Sequence, residues 1–154
     1  MLGMRLPAGW RWKPSGLRSS SPITLFRCIP VPGTTTPEPS PLVQVVLRDR
    51  EVELVLGSAG SNRIRSALLQ TIVGVVDHGL DAHRAVDAPR VHFEGGVLYA
   101  EPGIDLTGLQ DTHTQIVRFG AANLFFGGVQ AVLRRGARLM GAGDPRRGGV
   151  AVGA

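Results

Sequence analysis

The pattern of apolar and polar positions changes character at residue 42. Val43, Val45, Val46 and Leu47 form an apolar run rich in β-branched residues. The charged stretch Arg48-Asp49-Arg50-Glu51 follows, and then a second apolar run, Val52 to Leu56. Two short strands joined by a tight polar turn predict a β-hairpin. The second strand leads into Gly57-Ser58-Ala59-Gly60-Ser61-Asn62, after which Ile64, Leu68, Thr71, Ile72, Val75 and Val76 recur at helical spacing. Ser61 or Asn62 is positioned to accept the first free N–H groups of that helix, with Gly79 as its C-terminal stop. Leu69 and Val73 add apolar character to its other sides, which predicts a helix buried within a layered domain.

Further along, Asp81 opens a shorter helix through about Val86, ended by Pro89. Val91 to Phe93 and Val97 to Tyr99 flank Glu94-Gly95-Gly96 as a hairpin-like pair, and a helix is expected from Leu106 to Phe119. Val129 to Leu133 and Arg138 to Met140 read as paired strands, and Gly141 to Ala154 as a glycine-rich irregular segment. Hairpins alternating with helices predict an α+β architecture of antiparallel sheet layers and covering helices.

Composition sharpens the boundary. The chain has 154 residues, the size of one domain, and 43% of them are hydrophobic, enough for a core. Its net charge of +5 would ordinarily suggest nucleic acid or an anionic membrane as partner. Residues 1–41, however, hold Arg5, Arg11, Lys13, Arg18 and Arg27 against Glu38 alone, so the excess belongs to one segment. Eight of the eleven prolines lie at or before Pro41, and they break any amphipathic transit helix. The start also lacks the apolar stretch of a secretory signal, and no apolar run approaches the roughly 18 residues of a membrane span. The organisation expected is a basic, proline-rich, poorly ordered tail over 1–41 and a near-neutral domain over 42–154.

Candidate chemistry is sparse. The strand–glycine turn–helix at Leu54 to Ile64 resembles a phosphate site, but no Lys-Ser/Thr pair follows Gly60 and the glycine spacing fits no dinucleotide fingerprint. Its backbone N–H groups remain able to serve a developing oxyanion. His78, His83, His92 and His113 are scattered, and the lone Cys28 has no cysteine partner, so neither a metal site nor a cofactor is indicated. Thr34-Thr35-Thr36 reads as polar linker. The arginine pairs at 134–135 and 146–147 read as solvated turn residues, and without neighbouring aromatics they make no strong case for nucleic acid.

Five segments in order carry a resemblance. They are Leu54 to Ile64, Ala85-Val86-Asp87-Ala88-Pro89-Arg90-Val91-His92, Glu101-Pro102-Gly103, Gly127 to Val132, and Gly141-Ala142-Gly143-Asp144-Pro145-Arg146-Arg147-Gly148-Gly149. Together they resemble the C-terminal part of the small subunit of γ-glutamyltransferases, also called glutathione hydrolases. The resemblance covers about residues 42–154, with Pro32-Gly33 as a weak extension. It implies a partial N-terminal-nucleophile hydrolase αββα sandwich, of which this chain supplies part of a sheet and its covering helices. It also implies chemistry in which an N-terminal threonine attacks a γ-glutamyl amide and its own α-amine serves as base.

Three departures follow from the same resemblance. The family's Thr-Thr-His nucleophile segment lies well upstream of the matched hairpin, and Thr34 to Thr36 lie too close to it, so no catalytic nucleophile is assigned. Of two serines that hold the substrate α-carboxylate, only Ser40 survives, beside Pro39. The oxyanion pair of glycines becomes Gly60 and Ser61, where the backbone N–H is retained; a positive φ at Ser61 would cost about 1–3 kcal/mol. A γ-glutamyl substrate is therefore expected only if a large-subunit partner completes the chain, and a truncated homologue inactive alone is the leading expectation. The alternative is a non-catalytic interaction protein whose basic tail binds an anionic partner.

Overall fold

The structure, a computed structural model, describes residues 42–59, 61–109 and 115–152, together with the backbone of Thr24–Arg27. Strand β1, Thr24–Arg27, pairs antiparallel with β2, Leu42–Arg48, at the edge of the main sheet. β2 and β3, Glu51–Ala59, form the expected hairpin. Its two turn residues, Asp49 and Arg50, both have positive φ, 53° and 67°. That is the sense of twist a two-residue hairpin loop needs, but a Cβ in the left-handed region costs about 1–2 kcal/mol. Aspartate tolerates it better than arginine. Arg50→Gly is therefore expected to raise the unfolding free energy by about 0.5–1 kcal/mol. An unchanged or lower urea midpoint would refute this account of the turn.

After β3 come helix α1 (Ile64–Val76), helix α2 (Ala82–Asp87) and strands β4 (Val91–Glu94), β5 (Val97–Ala100) and β6 (Gln115–Arg118). The described chain ends with β7 (Gly128–Arg135), β8 (Arg138–Gly143) and a single 3-10 turn, Pro145–Arg147. The main sheet has the order β1-β2-β3-β7-β8, and β4-β5-β6 form a smaller one. Period-two alternation along β7 buries Val129, Ala131 and Leu133 and leaves Gln130 and Val132 exposed. The buried set continues across Leu54, Leu56 and Val46 and packs against Ala67, Leu68 and Val75 of α1 and Ala82, Ala85 and Val86 of α2. Each fully buried Leu or Val here is worth about 1.5–3 kcal/mol. Gly74 lets the helices close: a Cβ there would stand 3.3 Å from Leu80 Cδ1 and 3.5 Å from Ala85 Cβ.

The other face of the main sheet aligns Val45, Val55 and Val132 across neighbouring strands, with Val132 and Leu139 exposed. Among the described residues α1 and α2 cover one face of the main sheet, and its other face carries an apolar patch at Val45, Val55, Val132 and Leu139.

Several expectations are corrected. α1 is an outer layer rather than an enclosed helix, since Leu69 is 62% exposed. Among the described residues the helix expected from Leu106 to Phe119 is absent: Gly108 sits at φ 88°, which interrupts helical geometry, and Ile116 and Val117 lie in β6, parallel to β5. Residues 110–114 lie outside the described residues. Gly141 to Gly143 are strand rather than irregular, and Asp144 caps the following turn by accepting from Arg146 N. Asp81 does cap α2, accepting from Arg84 N.

Candidate functional site

The turn between β3 and α1 is held on both sides. Just before it, the Ser58 hydroxyl donates to Gly128 O at 2.6 Å, tying the end of β3 to the start of β7. Ser61 is exposed, and its carbonyl accepts from Ile64 N at 3.1 Å. The helix is not capped by a side chain of Ser61 or Asn62 as expected. Arg63 occupies the N-cap without a side-chain bond, and Asn62 Nδ2 donates instead to Glu94 Oε1 at 3.1 Å. Gly60, Ser40, Cys28, His113 and Thr34 to Thr36 lie outside the described residues.

A polar stripe starts at Asn62, just before α1, and continues along the helix: Ser66 and Gln70, four residues apart, share one face of α1, and all three side chains meet β4. Ser66 Oγ lies 2.8 Å from His92 Nδ1. The Gln70 side chain donates to Val91 O at 2.8 Å and accepts from Val91 N at 2.9 Å. Two backbone groups at the start of β4 are thereby satisfied by one amide.

His92 itself is 7% exposed, near the rings of Tyr99 and Phe125. Its Nε2 has no hydrogen-bond partner and stands 3.5 Å from Glu94 Oε2. The bond from Asn62, joined by the neighbouring His92, holds the Glu94 carboxyl below the usual carboxylate range. Arg63 lies 3.7 Å from the same carboxylate and 4.3 Å above the Phe125 ring, a cation–π contact. Beside the turn, Ser61, Arg63, Asn123, Phe125, Gly127 and Arg147 line a surface depression with two arginines in its wall.

Behind this surface sits a buried cluster of four charges. Arg90 donates to Asp144 Oδ2 at 2.6 Å, to Val86 O at 3.0 Å and to Gly127 O at 2.9 Å. Arg146 reaches Glu101 Oε1 at 2.7 Å, Asp144 Oδ1 at 3.2 Å and the carbonyls of Val86 and Ala88. Glu101 also accepts from Arg90 N and Asn123 N, and Asp144 from Val129 N, each at 2.9 Å. Burial, with Arg146 as a like charge nearby, pulls the Arg90 guanidinium below its ordinary value. For Arg146 burial acts the same way, but the bonds and charges of Glu101 and Asp144 outweigh it and the direction is upward.

The expectation that the arginine pairs are solvated is overturned for Arg146 alone, whose side chain is 1% exposed; Arg147 is exposed, and Arg134 and Arg135, 37% and 40% exposed, pair with Glu51 and the buried Glu53. What sequence reasoning missed was that the recurring motif residues Arg90, Glu101, Asp144 and Arg146 are partners of one another. Two acids and two arginines, each beside proline or glycine in an apolar context, were the available signal.

Comparison with known proteins accords with this geometry. The Gamma-glutamyltranspeptidase family model matches residues 37–154. Glutathione hydrolase 5 proenzyme of Mus musculus is 35% identical over 149 residues, covering 94% of this chain and 24% of that protein. The alignment therefore reaches into residues 1–41, beyond the extent expected from the motifs. Glutathione hydrolase proenzyme 1 of Schizosaccharomyces pombe is 29% identical over 119 residues, 75% of this chain and 19% of that protein. The chain thus spans about a quarter or less of these curated relatives.

Among solved structures, the gamma-glutamyltranspeptidase of Pseudomonas nitroreducens, complexed with L-DON, superposes with a TM-score of 0.62 at 31% identity. The match covers 80% of this chain and 66% of that one. The helical layer and antiparallel sheet are accordingly part of an N-terminal-nucleophile hydrolase sandwich. With its family-matched residues running through both the turn and the charge cluster, the chain belongs to the gamma-glutamyltranspeptidase family.

Proposed function

We propose that this chain forms the oxyanion-stabilising wall of an enzyme that transfers or hydrolyses γ-glutamyl groups, and that it does not turn over such substrates by itself. The observation that carries this reading is the turn at the β3–α1 junction, inside the family-matched residues and fixed by Ser58 on one side and Asn62 on the other. The backbone N–H groups of Gly60 and Ser61 would donate to the oxygen of the tetrahedral intermediate, and Ser40 would hold the substrate α-carboxylate. One such oxyanion donor is worth about 10²–10³ in kcat. Arg63 and Arg147 make the approach to the turn cationic, which suits a substrate that carries carboxylates.

The nucleophile is supplied from elsewhere, because no Thr-Thr-His run occurs in the 154 residues. A partner segment would bring the threonine. Its α-amine takes the hydroxyl proton, the oxygen attacks the γ-glutamyl carbonyl, and the resulting α-ammonium passes that proton to the amide nitrogen, which departs as a neutral amine as the tetrahedral oxyanion collapses. Water or an acceptor amine then resolves the ester. The apolar second face of the main sheet, with Val132 and Leu139 exposed, would receive the other sheet layer.

The purified chain is expected to leave a γ-glutamyl anilide unhydrolysed, and co-expression with a large-subunit segment carrying the threonine should restore hydrolysis. Turnover by the chain alone refutes the first part. A complex that assembles yet stays inert refutes the second.

A further inference from the structure

One buried group is used by nothing described so far. His92 is enclosed between α1, β5 and the Phe125 ring, yet its Nε2 has no hydrogen-bond partner. A buried ring nitrogen left in this way is uncommon and calls for a reason. Neutral imidazole has one donor and one acceptor nitrogen. With the proton on Nε2, the Ser66 hydroxyl donates to Nδ1, and the Nε2–H points toward Glu94 Oε2 at 3.5 Å, too far to bond well. With the proton on Nδ1, the Nε2 lone pair faces a carboxylate. The Nε2–H tautomer and imidazolium both aim an N–H at Glu94, but imidazolium adds the positive charge that favours closing the gap to the roughly 2.8 Å of a charge-assisted bond, with Nδ1–H then donating to Ser66 Oγ.

Glu94 is also the carboxylate that receives Asn62, and Asn62 adjoins Ser61. The charged and titratable groups facing His92 are few. Glu94 comes from its own strand, Arg63 from the start of α1 acts through Glu94, and Tyr99 from β5 lies with its ring 6.4 Å away; the 3-10 turn Leu124–Phe126 presents only the ring of Phe125.

We propose that His92 is a positioning residue for the turn: its protonated ring binds Glu94, and Glu94 in turn holds Asn62 and the adjoining Ser61 in place. The element is a three-link strap, His92–Glu94–Asn62, that makes the setting of the turn depend on a group able to change charge between pH 5 and 8. Its consequence for catalysis rests on the reading of Ser61 as an oxyanion donor, whereas the coupling itself does not.

The test is ¹⁵N NMR of the 154-residue chain between pH 5 and 8, following the His92 ring nitrogens, the Asn62 side-chain amide and the Ser61 backbone amide. The three are expected to move with one midpoint. Glu94→Gln should abolish the response of Asn62 and Ser61 while His92 still titrates. Asn62→Ala should silence Ser61 alone, which keeps the test decisive if the first variant unfolds. A His92 ring that holds one charge state across the range overturns the proposal, as do Asn62 and Ser61 amides that stay still while it titrates. No turnover is needed for these readings, so an inert co-expressed enzyme would sink the oxyanion assignment and leave the coupling standing.

Discussion

Asp144→Ala is expected to lower the unfolding free energy by about 3–5 kcal/mol, the cost of stripping one partner from a buried ion pair. Asp144 is 0% exposed and accepts four bonds, from Arg90 Nη2, Arg146 Nη1 and the backbone N–H groups of Val129 and Arg146. Alanine removes both carboxylate oxygens and with them all four bonds. Arg90, 1% exposed, then keeps only carbonyl partners for its charge, and Val129 of β7 loses the acceptor for its N–H. The pair need not be net stabilising relative to an apolar replacement of the whole cluster; what is costly is leaving one charge behind. For a domain of this size the melting temperature should fall by more than about 10 °C. Asp144→Asn keeps the shape and part of the bonding and should lie between wild type and alanine. Denaturant unfolding checks both, and an alanine variant within about 1 kcal/mol of wild type would mean that the cluster behaves like an exposed ion pair.

That cluster also shows where the sequence was readable and where it was not. The β2–β3 hairpin, α1, α2 and the β7–β8 pair follow from periodicity, because alternation and helical spacing report directly on one buried face. The helix expected from Leu106 to Phe119 is interrupted at Gly108, whose positive φ is a choice glycine permits but does not announce. Arg146 was misread because burial of a charge depends on where its acids fold. Glu101 is forty-five residues away, and no local pattern links them. His92 was dismissed with the other histidines as a failed metal ligand, when its partners Ser66 and Glu94 come from a helix face and its own strand. The spacing of Asn62, Ser66 and Gln70 was visible, but what the stripe faces was not.

Gly143→Ala is expected to cost about 1–3 kcal/mol or more, and Gly128→Ala clearly less. Both glycines border the cluster, and their surroundings differ in kind. A Cβ on Gly143 would stand 2.5 Å from Val150 N and 2.6 Å from Gly149 C, both backbone atoms of the segment that folds back over the end of β8. That segment is fixed in turn, since Gly149 N donates to Asp144 O at 2.8 Å and Gly148 turns the chain at φ 64°. Neither side can yield without displacing Asp144, so the strain is transmitted to the Arg90 pair. A Cβ on Gly128 meets the Arg147 side chain instead, with Cγ at 2.8 Å, and an arginine stem that ends in solvent can change rotamer. Parallel urea unfolding of the two variants measures the contrast directly. Equal losses would show that the fold-back over Gly143 is pliant and that the glycine-rich motif serves something other than this close backbone approach.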